Sequence, residues 1–498
     1  MSTLSPAKAI LLAVQFTARA DLISLQALLA QHQIPIETLL RILLTHLSET
    51  IDPAEYVPFL EQLFNGHDAV IKTDAIQVDA SSLEQLNDEQ ARQRVRKLGL
   101  LKLAPQNIPR DAPDDPAVLF LIHRSLRIDE LTGLLALIPP LLAPFLSRAP
   151  YLRKWLLNSV LPLVRLNYDY YNGKDTLTSI TKFQGLKAYD AVRLLLSYSS
   201  NASGEQAASI VGRDIRGLIG PWMYAKRAGE DDLHTGWEET FAWIVEQATT
   251  SWETAVQAIE GWDGPDDVDI GGYDDGQGGL MEDDQQKLEI IYARAILATA
   301  YSIPETSITG LLGVGRILSR LVALLDQERL PTLEQAAALL QPIPNSINDL
   351  LRTENTAYLR NDLMGEGNIL SKANNAAIQF AHALATSAFV VAKAGINVSI
   401  RTIGELVLLQ NKVEQTAELV KLITRAGNYQ RQDEKFWLRL RNEIVWLRSW
   451  GAEELQKPET PFTHGRGPFG QIEVEDMERL FLEAVLSSSR KSLPSSCL

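Results

Sequence analysis

LLRILLTHLSETIDPAEYVPFLEQL, residues 39–63, reads as two short amphipathic helices joined by a turn. Ile36, Leu39, Leu40, Leu43, Leu44 and Leu47 fall at offsets 0, 3, 4, 7, 8 and 11, which lines them up on one helical face. Asp52 stands where a cap belongs, and Pro53 takes the first helical position, where a missing N–H costs nothing. Tyr56, Phe59, Leu60, Leu63 and Phe64 repeat the offsets 0, 3, 4, 7 and 8, and Gly66 is placed to close the second helix. Such a pair is the repeating unit of a helical solenoid, in which each repeat packs only on its neighbours.

The rest of the chain extends this pattern. Asp115-Pro116 opens a helical run, and Thr235 with Glu238, Ser302 with Glu305 and Thr332 with Gln335 have the spacing of capping boxes. Ser5-Pro6 is expected to cap a first helix, the apolar run behind it being too short and poorly flanked for a signal peptide. Strand signals are thin. Val70–Val78 alternates weakly, and Asn172-Gly173 lacks the flanking strands of a hairpin. The expected fold class is therefore all-α, an irregular α-solenoid of stacked antiparallel helix pairs with no repeat of fixed length. Two breaks stand out. Asp263–Asp284 holds nine acidic residues, no basic one and six glycines, and is expected to be a mobile surface loop. Gln456–Gly470 carries three prolines and three glycines. The expected organisation is a first stack over residues 1–262, the acidic loop at 263–284, a continuing stack over 285–488 and a polar tail at 489–498.

Composition bounds the function. Of 498 residues, 46% are hydrophobic and 22% charged, as in a folded soluble protein with a substantial core. A formal charge of −15 argues against a nucleic-acid partner, whose phosphates need clustered Lys and Arg. Cys497 is the single cysteine, so no internal disulfide and no thiolate zinc site can be built, which fits a reducing compartment. Leu131–Leu146, the most apolar stretch, contains three prolines and falls short of the roughly 20 residues of a membrane span. Any membrane association is expected to be peripheral and to run through partners.

Motifs with chemistry are absent or fail on context. Gly465-Arg466-Gly467-Pro468-Phe469-Gly470 matches a dinucleotide fingerprint by letter, but no strand precedes it and Pro468 lacks an N–H. It is expected to be a flexible lead-in to a helix from Val474. Asp267, Asp269 and Gly272 fit positions 1, 3 and 6 of a calcium loop, yet Gly271 and Gly278 stand at positions 5 and 12, where ligands belong. His32, His46, His67, His123, His234, His382 and His464 are scattered, without metalloprotease or hydrolase motifs. Trp155, Trp237, Trp243, Trp252, Trp262, Trp446 and Trp450 sit at helical spacing and are expected to pack. Lys435, Arg439, Arg441 and Arg448 make one late helix locally basic, a solvated face or a docking site for an acidic segment. No catalytic, cofactor-binding or metal-binding residue is expected, and no cofactor.

In letters, the opening segment resembles the fungal secretory-pathway thirty-nine domain family, subunits of the Dsl vesicle-tethering complex and relatives of the animal neuroblastoma-amplified sequence protein. Leu4–Ala30, Leu119–Leu146, Tyr151–Tyr171, Arg216–Tyr224, Ala258–Tyr273, Trp446–Glu453 and Gly467–Arg490 continue the likeness in one order, the Ala258–Tyr273 stretch most specifically. Family members look longer, so the ending SSSRKSLPSSCL suggests a shortened chain. The resemblance implies a non-enzymatic scaffold on the cytosolic face of the endoplasmic reticulum. It would act in Golgi-to-ER (COPI) transport, binding another tether subunit and the amino-terminal region of an ER SNARE. The rival readings are a helical scaffold of a coat or proteasome-type assembly, and an all-α enzyme with a site built from scattered residues.

Overall fold

The helix pair at residues 36–64 forms as its spacing predicts. The first helix runs Ile36–His46 with Leu39, Leu40, Leu43 and Leu44 buried, and Leu47 is buried just past its end. Ile36, counted on the same face, lies at the open edge of the turn and is 44% exposed. Asp52 accepts the N–H of Ala54, and the second helix runs Pro53–Asn65 with Tyr56, Phe59 and Leu60 buried. Gly66, the expected stop, lies outside the described residues. The computed structural model describes residues 4–65, 78–105, 112–171, 178–199, 207–224, 232–273, 280–427, 434–451 and 465–491.

Helices follow one another along the chain, and no strand occurs among the described residues. The fold is all-α, built from packed helix pairs. Of the weak strand signals, residues 70–77 and Asn172-Gly173 lie outside the described residues. Start signals are met unevenly. Asp115 accepts the N–H of Ala117, and Thr332 with Gln335 forms a reciprocal capping box. Ser5 precedes the Pro6–Ala18 helix without a side-chain bond to it. Two expected starts are corrected. Thr235 lies inside the Asp232–Thr250 helix, and Ser302 ends the Glu282–Ser302 helix, the next start being capped by Ser307. Capping-box spacing recurs by chance within helices, since Thr and Glu also suit solvated helical faces.

Contacts divide the chain into two units. The first comprises Met1–Ala191, Gly217–Glu230 and Val268–Gly278, and the second comprises Val192–Arg216, Asp231–Asp267 and Gly279–Leu498. In the first unit, the proline-rich apolar stretch becomes a chain of short turns. Gly133, at φ 68°, stops the Pro116–Thr132 helix, and Leu135–Leu137, Ile138–Leu142 and Ala143–Phe145 follow. Behind them, Pro150–Trp155 and Leu161–Val164 alternate with π turns at Leu156–Val160 and Arg165–Tyr170.

The second unit is organised round Asn375–Lys393, the one described helix long and apolar enough to cross a membrane by length and composition. Here 83% of that apolar window is buried, against Ile308–Leu324, Leu333–Leu339 and Ile400–Leu409. A second core in this unit is aromatic: Trp237, Phe241, Trp262 and Tyr292 pack with ring centroids 4.8–6.4 Å apart. Gly212 lets the Ala207–Asp214 helix approach Trp252–Gly261, since a Cβ there would stand 2.1 Å from the Gly261 carbonyl oxygen.

Candidate functional site

The glycine motif is a packing device. Gly467 N–H donates to the Arg448 carbonyl at 3.0 Å, Phe469 N–H to Leu447, Gly465 N–H to Gly470 and Gly470 N–H to Gly467. Four of the donors a phosphate would need are thus spent on the chain itself. A Cβ on Gly467 would stand 2.0 Å from the Leu447 carbonyl oxygen, and Phe469 is 2% exposed. The expected flexible lead-in is therefore corrected to a tight turn laid on the end of the Glu434–Ser449 helix, with Val474 starting the next helix as expected. Gly467→Ala is expected to cost about 1–3 kcal/mol by forcing backbone apart. A urea unfolding midpoint unchanged by the substitution would show that the turn is not tight.

The acidic segment is likewise tied down over its described part. In the second unit, Arg216 grips Asp267 with two bonds of 2.6 Å and also donates to the Gly261 carbonyl. In the first, Arg165 donates to the Asp269 carbonyl at 2.6 Å, to its carboxylate at 3.1 Å and to the Gly217 carbonyl at 2.8 Å. The two aspartates that matched calcium positions are therefore arginine partners, their charge already answered by guanidinium. This corrects the expected mobile loop for residues 263–273, while 274–279 lie outside the described residues. No group of three or more His, Cys, Asp or Glu is placed to hold a metal ion among the described residues.

The other flagged side chains do not converge. His123 bonds the Leu103 carbonyl, and His382 bonds the Pro331 carbonyl. His46 ends its helix with Nε2 buried and unpartnered, and burial lowers its pKa. His67, His464 and the side chain of His234 lie outside what is described. Trp155, Trp237, Trp243, Trp262, Trp446 and Trp450 are all buried, as their spacing predicts, and Trp252 is half-buried. The basic helix scatters its charges. Arg448 is buried and donates to the Ile472 carbonyl, Arg441 pairs with Glu478, Arg439 with Glu443, and Lys435 faces solvent.

The surface that sequence reading missed is the outer face of Lys412–Ala426. Gln415, Leu419, Leu422, Ile423 and Ala426 bury one side of this helix. Val413, Ala417, Val420 and Thr424, at offsets 0, 4, 7 and 11, point the other way, with Val413 77% and Val420 41% exposed. The stripe runs along two shallow depressions of about 670 and 530 Å³, the second reaching the loop at Gly395, Ile396 and Asn397. Lys421 and Arg425 flank it. The signal was present as a second apolar periodicity on a helix already buried by its first, and such stripes suit a partner helix.

Packed helix pairs and an open apolar stripe define an all-α fold among the described residues. The chain belongs to the family of secretory pathway protein Sec39, whose family model matches residues 10–497. A comparison with curated proteins finds no match.

Proposed function

We propose that this chain is a non-enzymatic scaffold subunit of an endoplasmic-reticulum vesicle-tethering complex of the Dsl type. It acts in Golgi-to-ER (COPI) transport, binding another tether subunit and the amino-terminal region of an ER SNARE. The observation that carries the reading is the family match over residues 10–497, in a family of secretory-pathway proteins. An all-α stack supports it physically, because long helical surfaces give several modest contacts that add up through effective concentration. On this reading the protein works on the cytosolic face of the reticulum and meets the membrane only through its partners. The stripe Val413, Ala417, Val420 and Thr424 takes an amphipathic partner helix whose apolar face is edged by an acidic residue opposite Arg425, Lys421 being already paired with Glu418.

Size-exclusion chromatography with light scattering, on the chain alone and with the cytosolic part of the cognate ER SNARE or tether subunit, tests the proposal. A stable one-to-one shift is the expected result, and a folded chain that shifts with neither partner overturns it. Val413→Asp with Val420→Asp is expected to weaken the partner that uses the stripe at least about tenfold, since each charge must be desolvated on docking. Far-UV circular dichroism should stay unchanged, both side chains being exposed. Full affinity of the double variant for both partners would remove the stripe from the interface.

A further inference from the structure

Most polar side chains of the Asn375–Lys393 helix fall along one line. Asn375, Gln379, His382 and Thr386, at offsets 0, 4, 7 and 11, share one face, and all four line a single pocket of about 650 Å³ in the second unit. The line descends from exposed Asn375, through half-buried Gln379 and His382, to Thr386, which is 2% exposed. Facing it are two proline-bearing loops, Gln327–Pro331 and Gln341–Pro344, with Trp446 closing one side. The second loop is held in place from behind. The Trp446 indole donates to the Gln341 carbonyl at 2.9 Å, Ile343 N–H to the Trp450 carbonyl at 2.9 Å, and Arg466 to the Ile343 carbonyl at 2.8 Å. A pocket with fixed walls is pre-formed for a ligand.

The polar atoms say what kind. The His382 Nε2 bonds the Pro331 carbonyl at 2.9 Å, and a carbonyl can only accept, so Nε2 carries the proton. Nδ1 is then a bare acceptor with no protein partner among the described residues. Burial lowers the histidine pKa, which keeps the ring neutral at physiological pH. Thr386 Oγ1 and Gln327 Oε1 are buried without partners. Pro331, Pro342 and Pro344 bring ring surface and no N–H, and the amide side chains of Gln341, Asn375 and Gln379 that also line the pocket make no bond to Thr386 Oγ1 or Gln327 Oε1. Glu328 and Arg329 are exposed at the rim, and among the lining residues they are the only charged side chains. A charged ligand would lose its hydration without a buried counter-charge, whereas a purely apolar one would leave the inner polar atoms unanswered.

We propose that this pocket is a binding site for an uncharged amide-bearing ligand, which places an N–H on His382 Nδ1 and uses its carbonyl and remaining N–H toward Thr386 and Gln327. A short peptide segment and a free small amide share that chemistry. The inference stands apart from the tether reading, because it rests on the pocket alone.

The test uses the full chain with tryptophan labelled at the indole nitrogen, following the Trp446 N–H by NMR, assigned with Trp446→Phe. Benzamide, benzoate and toluene, three probes of nearly the same shape, are titrated in turn. Benzamide is expected to shift the Trp446 signal with millimolar affinity, and benzoate and toluene to bind at least about tenfold more weakly. Acetyl-trialanine amide is run in parallel. Binding of either amide supports the site, and the tighter of the two names its source. Thr386→Val, nearly isosteric, should lower the benzamide preference about three- to tenfold. Ala383→Phe, which fills the pocket, should abolish binding; should it fail to fold, Thr386→Val and Gln327→Ala carry the test. No Trp446 shift with either amide, equal binding of benzamide, benzoate and toluene, or a preference unchanged in both Thr386→Val and Gln327→Ala would overturn the proposal.

Discussion

Arg124→Leu is expected to lower the unfolding free energy by about 3–5 kcal/mol, the range found when a buried charged network loses a member. Arg124 is fully buried in the first unit and donates to the carbonyls of Leu47 and Ser48 at 2.7 and 2.5 Å. Those carbonyls lie just past the end of the Ile36–His46 helix, in the turn before Pro53, so the guanidinium satisfies buried turn acceptors and stands near the negative end of the helix dipole. It also lies 5.5 Å from the Tyr56 ring centroid and 3.8 Å from Glu49. Leucine would fill part of the space and leave both carbonyls dry. Lysine keeps the charge and three N–H donors but lacks the planar fork that spans both carbonyls, so Arg124→Lys should fall between. Urea unfolding followed by circular dichroism reads the difference. A leucine variant as stable as the parent would mean that burial of the cation costs as much as its bonds return.

The second large effect is expected at Trp262. This side chain is fully buried, stacks 5.6 Å from Trp237, meets Tyr292 at 4.8 Å, and donates its indole N–H to the Asp267 carbonyl. Trp262→Ala leaves a cavity between three rings and should cost about 3–5 kcal/mol. Trp262→Phe keeps most of the ring contact and loses only the N–H, so about 1–2 kcal/mol is expected. If the two substitutions proved equally costly, the hydrogen bond to Asp267 would outweigh the packing, and the aromatic core would have to be reconsidered.

Much of the fold was legible because helical burial has a period. The 36–64 pair, the cap at Asp115 and the box at Thr332 all follow from spacing and from residues with one obvious use. Arg124, Arg165 and Arg216 were not legible. Each sits in an apolar run where an arginine looks like a solvated interruption, and its partners lie 45–104 residues away for the bonds that matter. The glycines at 465, 467 and 470 matched a phosphate motif by letter because both uses need backbone without Cβ. The polar line on Asn375–Lys393 was readable in principle, since its four residues keep helical offsets. It went unread because each residue alone is unremarkable, and only the pocket opposite gives them a common direction.

The wide turns at Leu156–Val160 and Arg165–Tyr170 bear on how this chain tolerates change in length. Each π turn holds one residue more than an α turn would need, while the helices on either side keep their facing. Removing a residue from Leu156–Val160 would let that turn tighten to α and leave Arg165 aimed at Asp269. The same deletion inside Pro116–Thr132, which has no such slack, would swing everything downstream by about 100° and carry Arg124 off its carbonyls. Single-residue gaps between relatives should therefore collect at 156–170 and avoid 116–132, two neighbouring helical stretches with opposite tolerance for a lost codon.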